Sequence, residues 1–204
     1  MLLLLSVSRA HKLFFWYLVM SKLSARTSES HPLIINTLAV LNGELGLTFC
    51  PGKKQAHALT GAWHRSVAAD LGIVRDWGAQ VVISLLEDFE YDELQVDELR
   101  NLYPAYFRWL NLPIPDKCAP DAAWLARWLD LRDDLSRQLA QGAKILIHCK
   151  GGFGRAGTVA ALLLIDQGHS AEEAISLARQ AREFAVETAA QLDFVKRYAA
   201  MRCT

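Results

Sequence analysis

The sequence predicts an α/β domain with a mostly parallel central sheet and helices on both faces. Three observations predict it. Apolar segments of strand length alternate with longer segments of helical period. The stretch Lys144-Ile-Leu-Ile-His-Cys149 runs into a glycine loop and then an apolar helical segment, so strand, tight turn and helix follow one another. Hydrophobic residues make up 52% and charged residues 22% of 204 positions, ordinary for one such domain with a buried core.

The elements follow in order. Leu45–Phe49 reads as a short strand, ended by the turn Cys50-Pro51-Gly52. Ser66–Trp77 places Val67, Leu71 and Val74 at helical spacing, with Gly78 just past its end. Gln80–Leu86 is a strand of the buried type. Asp92–Leu102 reads as a helix whose acidic start suits the positive end of a helix dipole. Ala105–Leu112 is another strand. The proline-studded loop Leu112–Pro120 comes next, and Asp121 can cap a long amphipathic helix reaching about Leu139. Gly142 leads into strand Lys144–His148. The helix after the glycine loop begins near Arg155 and stops at Gly168. Ser170-Ala-Glu-Glu173 is a capping box that opens the next helix, and Thr188-Ala-Ala-Gln191 opens the last.

The N-terminus is different. Leu2–Leu5 and Leu13–Met20 are apolar, but Ser6, Ser8, Arg9, His11 and Lys12 separate them. The longest apolar run is eight residues, against the roughly 20 that span a bilayer. Arg9 and Lys12 follow the first leucines, whereas a signal peptide has its charge before the apolar region. Ser21–Pro32 has the composition of a linker. Residues 1–32 are therefore read as a poorly ordered extension and 33–204 as one domain. Membrane association is not expected, with the apolar extension as its one uncertain element.

Lys plus Arg and Asp plus Glu each number 22, so the net charge is zero, which argues against a dedicated nucleic-acid binder. Cys50, Cys118, Cys149 and Cys203 form no CxxC pair, which argues against a structural zinc site or a disulfide framework. Scattered free thiols suit a reducing, cytoplasmic setting.

The glycine loop admits two readings. Gly152-Phe153-Gly154-Arg155-Ala156-Gly157 spells the dinucleotide fingerprint G-x-G-x-x-G. That motif needs its first glycine directly after the strand and a second strand after the helix. Here Cys149, Lys150 and Gly151 intervene, and three helices follow with no strand. A Walker loop fails because no Gly-Lys-Ser/Thr is present. The other reading is Cys149 and Arg155 with five residues between them. Glycines let backbone N–H groups point inward, and the helix N-terminus adds partial positive charge. A phosphate dianion fits such a ring, and Arg155 can grip two of its oxygens. The same field favours a cysteine thiolate.

The His148-Cys149-x5-Arg155 arrangement resembles the protein-tyrosine and dual-specificity phosphatase superfamily. Within it, the chain is most similar to kinase-associated (cyclin-dependent-kinase-inhibitor-3-like) phosphatases and their bacterial relatives. Leu47–Gly52, Ser84–Glu87, Leu112–Asp116, Ala119–Asp121, His148–Thr158, Val186–Thr188 and Gln191 carry the resemblance. It implies the cysteine-phosphatase fold over 33–204 and hydrolysis of phosphate monoesters through a phosphocysteine, with no cofactor and no metal. Phosphotyrosine or phosphoserine/threonine proteins are the implied substrates. A phosphoinositide or small-molecule phosphatase, or a catalytically dead phospho-binding module, is the alternative.

The resemblance also implies roles. Cys149 is the nucleophile, Arg155 the phosphate clamp, and Lys150, Gly151, Gly152, Phe153 and Gly154 the cradle. Asp116 matches the family's general acid; Asp121 is its rival, with a helix cap as its other reading. His148 supports the loop. Glu87 organises a loop or is a solvated charge. Glu187 and Gln191 match the segment that places water for the second step, though Gln191 also reads as the capping partner of Thr188. Ala156 stands where many members carry a hydroxyl, and Thr158 is retained two residues on. Lys150 adds charge at the mouth or is solvated. Cys118 is a candidate disulfide partner for Cys149 under oxidation.

Overall fold

The computed structural model describes residues 25–58 and 61–202. Five strands form the main sheet: β1 (Asn36–Val40), β2 (Gly43–Phe49), β5 (Val81–Ser84), β6 (Arg108–Asn111) and β7 (Lys144–Cys149). Their order is β1-β2-β7-β5-β6. β2, β7, β5 and β6 run parallel, and β1 is antiparallel on β2. A small hairpin, β3 (Lys54–Gln55) with β4 (Trp63–His64), stands apart. The helices are α1 (Val67–Trp77), α2 (Asp88–Glu93), α3 (Leu99–Tyr106), α4 (Ala122–Ala140), α5 (Gly154–Asp166), α6 (Ala171–Ala181) and α7 (Ala189–Arg202).

Strand periodicity divides the core in two. Val81, Ile83, Ile145 and Ile147 join Trp128, Leu135 and Val159 in one apolar cluster. Their neighbours Val82 and Leu146 join Leu71, Val74 and Tyr103 in the other. Successive side chains thus face opposite helix layers, as a doubly covered parallel sheet requires. Each large aliphatic chain so buried contributes roughly 1.5–3 kcal/mol. Helix ends follow the sequence signals. Ser66 accepts from the Ala69 N–H at 3.2 Å, and Gly78 closes α1 at φ 88°. Asp121 caps α4 and Ser170 caps α6.

Three expectations change. The helix expected over Asp92–Leu102 is two, α2 and α3, parted at Gln95 by a left-handed φ of 53°. The strand expected from Ala105 begins at Arg108, because α3 continues through Tyr106. Residues 25–32, read as linker, are built into the domain. Arg26 bridges Trp63, Ser28 Oγ donates to Asp70 Oδ1 at 2.8 Å, and Arg65 Nη1 donates to the His31 carbonyl at 2.6 Å. The physical reason is the fully buried Arg65–Asp70 pair, whose remaining donors and acceptors this segment satisfies. The expectation of disorder over residues 1–24 lies outside the described residues.

Candidate active site

The parallel register sets the site. Cys149 ends β7 opposite Phe49 of β2, and His148 lies opposite Ser84 of β5, so the carboxyl ends of three strands converge there. The loop then turns into α5 at Gly154. Gly152 has φ 75°, and a Cβ there would stand 2.5 Å from the Thr48 and Phe49 backbone, so only glycine fits. Its N–H donates to Cys149 Sγ at 3.2 Å.

The loop's carbonyls are held outward. Lys53 Nζ donates to the Lys150 carbonyl at 3.3 Å; Arg182 Nη2 and Nε donate to those of Gly151 and Gly152 at 3.2 and 3.3 Å. With these carbonyls held away, the Gly152 N–H points at the sulfur. Burial pulls the Lys53 ammonium down to about 8, against the thiols of Cys50 and Cys149, which favour its charge. Lys150, a substrate-binding candidate, points to Glu93 instead, with both carboxylate oxygens 2.7 Å from Nζ.

Arg155 is buried and clamped. Nη1 and Nη2 meet the Glu90 carboxylate at 2.5 and 2.9 Å, and Nη1 also donates to the Leu85 and Ile114 carbonyls. Burial opposes the guanidinium charge, but the Glu90 hydrogen bonds and the surrounding acids raise its pKa further still. Asp116 Oδ1 lies 3.0 Å from Nη2. Nε is buried without a hydrogen-bond partner. A buried orphan donor costs about 1–3 kcal/mol, so this atom is poised for a ligand oxygen.

The two rival acids separate. Asp116 lines the cleft with Cys149 and Arg155. Asp121 accepts from the Trp124 N–H at 2.7 Å, which is the helix-cap reading. Gln191 is the capping partner of Thr188. Its amide oxygen accepts from the Glu187 and Thr188 N–H groups, and its backbone N–H donates to Thr188 Oγ1. Its Nε2 also donates to the Cys118 carbonyl, so the cap of α7 anchors the Asp116 loop. Glu187 lines the cleft, its carboxylate beside Gly154.

His148 is fully buried, with Nε2 2.9 Å from the Tyr103 hydroxyl. Burial holds its pKa down to about 3 and pushes the phenol's well up. The imidazole is therefore neutral, and one hydrogen bond joins its Nε2 to the Tyr103 hydroxyl. Thr158 Oγ1 donates to the Gly154 carbonyl at 2.9 Å and so does not replace the hydroxyl missing at Ala156. Cys118 is exposed and unbridged; the thiol whose charge would oppose that of Cys149 is Cys50, and burial drives its pKa up. Glu87 caps α2, and its N–H donates to Glu90 Oε2 at 2.9 Å.

Sequence reasoning misses Glu90, Tyr103, Lys53 and Arg182. Only Glu90 leaves a signal: Glu87-x-x-Glu90 after a strand is a helix-start pattern. The whole cleft encloses about 860 Å³, bounded also by residues 26–34 and the β3–β4 hairpin.

A family model described as "Swiss Army Knife protein, DSP-PTPase phosphatase domain" matches residues 67–195. Cyclin-dependent kinase inhibitor 3 of Mus musculus is 30% identical over 157 residues, 76% of this chain and 71% of the relative. Protein tyrosine phosphatase type IVA 3 of Bos taurus is 28% identical over 144 residues, 70% of this chain and 75% of the relative. The solved structure of a kinase associated phosphatase, its catalytic-site cysteine replaced by serine, superposes with TM-score 0.73 at 27% identity, covering 85% of this chain and 97% of that one. The family model spans more than half of the chain, and the chain belongs to the dual-specificity and protein-tyrosine phosphatase family of enzymes.

Proposed function

We propose that the enzyme dephosphorylates phosphoproteins, at phosphotyrosine and at phosphoserine or phosphothreonine, through a phosphocysteine on Cys149. The observation that carries this reading is the unpartnered Nε of Arg155, buried in the same cleft as the Cys149 sulfur. Phosphate oxygens take Nε and Nη2 and the inward loop amides. Asp116 then loses its hold on Nη2 and turns to the leaving oxygen. Cys149 thiolate attacks phosphorus, the P–O bond breaks, and Asp116, protonated once it has left the guanidinium, gives that proton to the leaving group. Water next attacks the phosphocysteine, losing a proton to Asp116, and sulfur leaves as thiolate; Gln191 and Glu187 border that position. His148 and Tyr103 hold the strand end beneath the sulfur.

Exposed apolar residues around the cleft support a macromolecular substrate. Ile34 is 64% exposed and lines the cleft; Phe184 is 66% exposed and packs edge-on against Phe153. A nucleophilic free thiol keeps its chemistry in a reducing compartment, so we place the enzyme in the cytoplasm. The test is an acid quench during turnover of a phosphopeptide. Mass analysis is expected to find one phosphoryl group on the Cys149 peptide, and turnover with no such adduct at any quench time rejects the mechanism.

Two further outcomes follow from the geometry. Asp116→Asn is expected to slow poor leaving groups by at least about tenfold, and by up to the roughly 10²–10⁴-fold that general acids contribute, with melting temperature unchanged. Asp121→Ala is expected to cost about 1 kcal/mol of stability while turnover holds. The reverse pattern would exchange their roles. Ala156 leaves the departing thiolate without a hydroxyl, and Thr158 is committed elsewhere. Stopped-flow traces should show a burst of one product per site followed by slow turnover. Ala156→Ser should speed the slow phase; a linear trace in the wild type contradicts this account.

A further inference from the structure

Two cations from outside the Cys149 loop hold its carbonyls. Arg182 takes those of Gly151 and Gly152, and Lys53 takes that of Lys150, the residue next to Cys149. Lys53 is 4% exposed. Its ammonium lies 5.0 and 5.3 Å from the ring centroids of Phe49 and Trp63, with no carboxylate partner among the described residues. Burying an ammonium without a counter-anion costs on the order of several kcal/mol. Aromatic faces and one carbonyl return only part of that. A lysine so placed needs an anion, and the reaction forms one on the Cys149 sulfur.

The surrounding charges point to the same atom. The thiols of Cys50 and Cys149 favour the Lys53 ammonium, while the guanidinium groups of Arg65 and Arg182 oppose it. Cys50 is not the anion, because burial drives its pKa up and keeps it a thiol. Arg65 is spent on Asp70, both fully buried. Around Cys149, Lys150 is paired with Glu93, Arg155 with Glu90, and His148 is neutral. Asp116 is held by Arg155, and Glu187 stands beside Gly154. Attraction is mutual, so what charge on the sulfur does for Lys53 the ammonium does for the sulfur.

The chemistry has a place for that charge. When water displaces Cys149 from phosphorus, the S–P bond breaks and its electron pair stays on sulfur. Ala156 brings no hydroxyl to the departing thiolate, and Thr158 Oγ1 is taken by the Gly154 carbonyl. Resting on the phosphatase reading of the Cys149 loop, we propose that Lys53 is a positioning residue of the reaction, whose ammonium steadies the Cys149 thiolate and holds the carbonyl next to it out of the phosphate site. Lys53 lies outside the span that the family model matches.

The proposal has a pH signature. Burial pulls the Lys53 pKa down to about 8, so its charge is present below that pH and lost above it. Arg182 stays charged throughout. The experiment measures kcat from pH 6 to 10 on an aryl phosphate whose leaving group needs no proton from Asp116. Wild type is expected to lose about tenfold on the alkaline side, the worth of one nearby opposite charge. Lys53→Arg should keep most of its turnover at pH 7 and lose the alkaline limb, because a guanidinium holds its charge. Lys53→Met should be about tenfold slower at pH 7, with no limb.

Alkylation of Cys149 by iodoacetamide, read by mass on its own peptide, reports the sulfur without turnover. At pH 5 the rate should fall about threefold or more in Lys53→Met and stay near wild type in Lys53→Arg. At pH 10 all three should agree. An equal rate at pH 5, a deficit in Lys53→Met that persists at pH 10, a wild type with no limb, or a limb that Lys53→Arg retains overturns the proposal. Should Lys53→Met not fold, the limb in Lys53→Arg decides. Failure of wild type to hydrolyse aryl phosphate overturns the parent reading instead, and the alkylation rates then still decide the role of Lys53.

Discussion

Cys149→Ser is expected to lose roughly 10³-fold or more of aryl-phosphate turnover while still binding oxyanions. The sulfur receives the Gly152 N–H at 3.2 Å at the start of the loop. A serine hydroxyl in the same place keeps its proton at neutral pH, and no neighbouring group is placed to remove it: His148 Nε2 is committed to Tyr103, and burial withdraws the ring from the cleft. The anion-binding parts do not depend on sulfur. Arg155 is held by Glu90, Leu85 and Ile114, and the loop carbonyls by Lys53 and Arg182. Calorimetric titration with inorganic phosphate should therefore give a Kd within a few-fold of wild type, and the melting temperature should hold. A variant that keeps turnover within tenfold of wild type removes Cys149 as nucleophile. One that loses phosphate binding shows the loop to be organised by the sulfur.

The parts of this site legible in the sequence are those whose partners are close in the chain. Cys149 and Arg155 lie on one strand-loop-helix unit, so spacing alone sets them together. The choice of Asp116 over Asp121 is also local, since a residue directly before a helix is a cap. Glu90 is 65 positions from Arg155, Tyr103 is 45 from His148, and Lys53 is 97 from Lys150. Nothing in a period of 2 or 3.6 marks such pairs; they exist because β5 and β2 flank β7. The same reason hides the role of residues 25–32. A polar, serine-bearing stretch reads as linker until a buried ion pair supplies partners for its carbonyls and hydroxyls. Helix α2 is only six residues long, too short for a helical period to show in the sequence.

The least legible of these residues should have the second-largest effect. Glu90→Gln keeps the shape of the side chain but removes the charge that balances Arg155 across two hydrogen bonds. It also sets an amide N–H against either the guanidinium or the Glu87 N–H, both donors. Breaking a buried pair from one side costs about 3–5 kcal/mol, which for a domain of this size lowers the melting temperature by roughly 6–20 °C. The sign of the anion dependence is the diagnostic part. Wild-type Arg155 has a carboxylate at hand; in the variant an incoming phosphate becomes its main counter-charge. Inorganic phosphate should then raise the melting temperature of Glu90→Gln more than that of wild type, while kcat/KM falls about 10- to 100-fold because the clamp is no longer oriented. A structural carboxylate with no part in positioning Arg155 would leave the phosphate shift the same in both proteins. Equal shifts would therefore remove Glu90 from the site, and a larger shift in the variant ties the fold's buried charge to the phosphate it is built to receive.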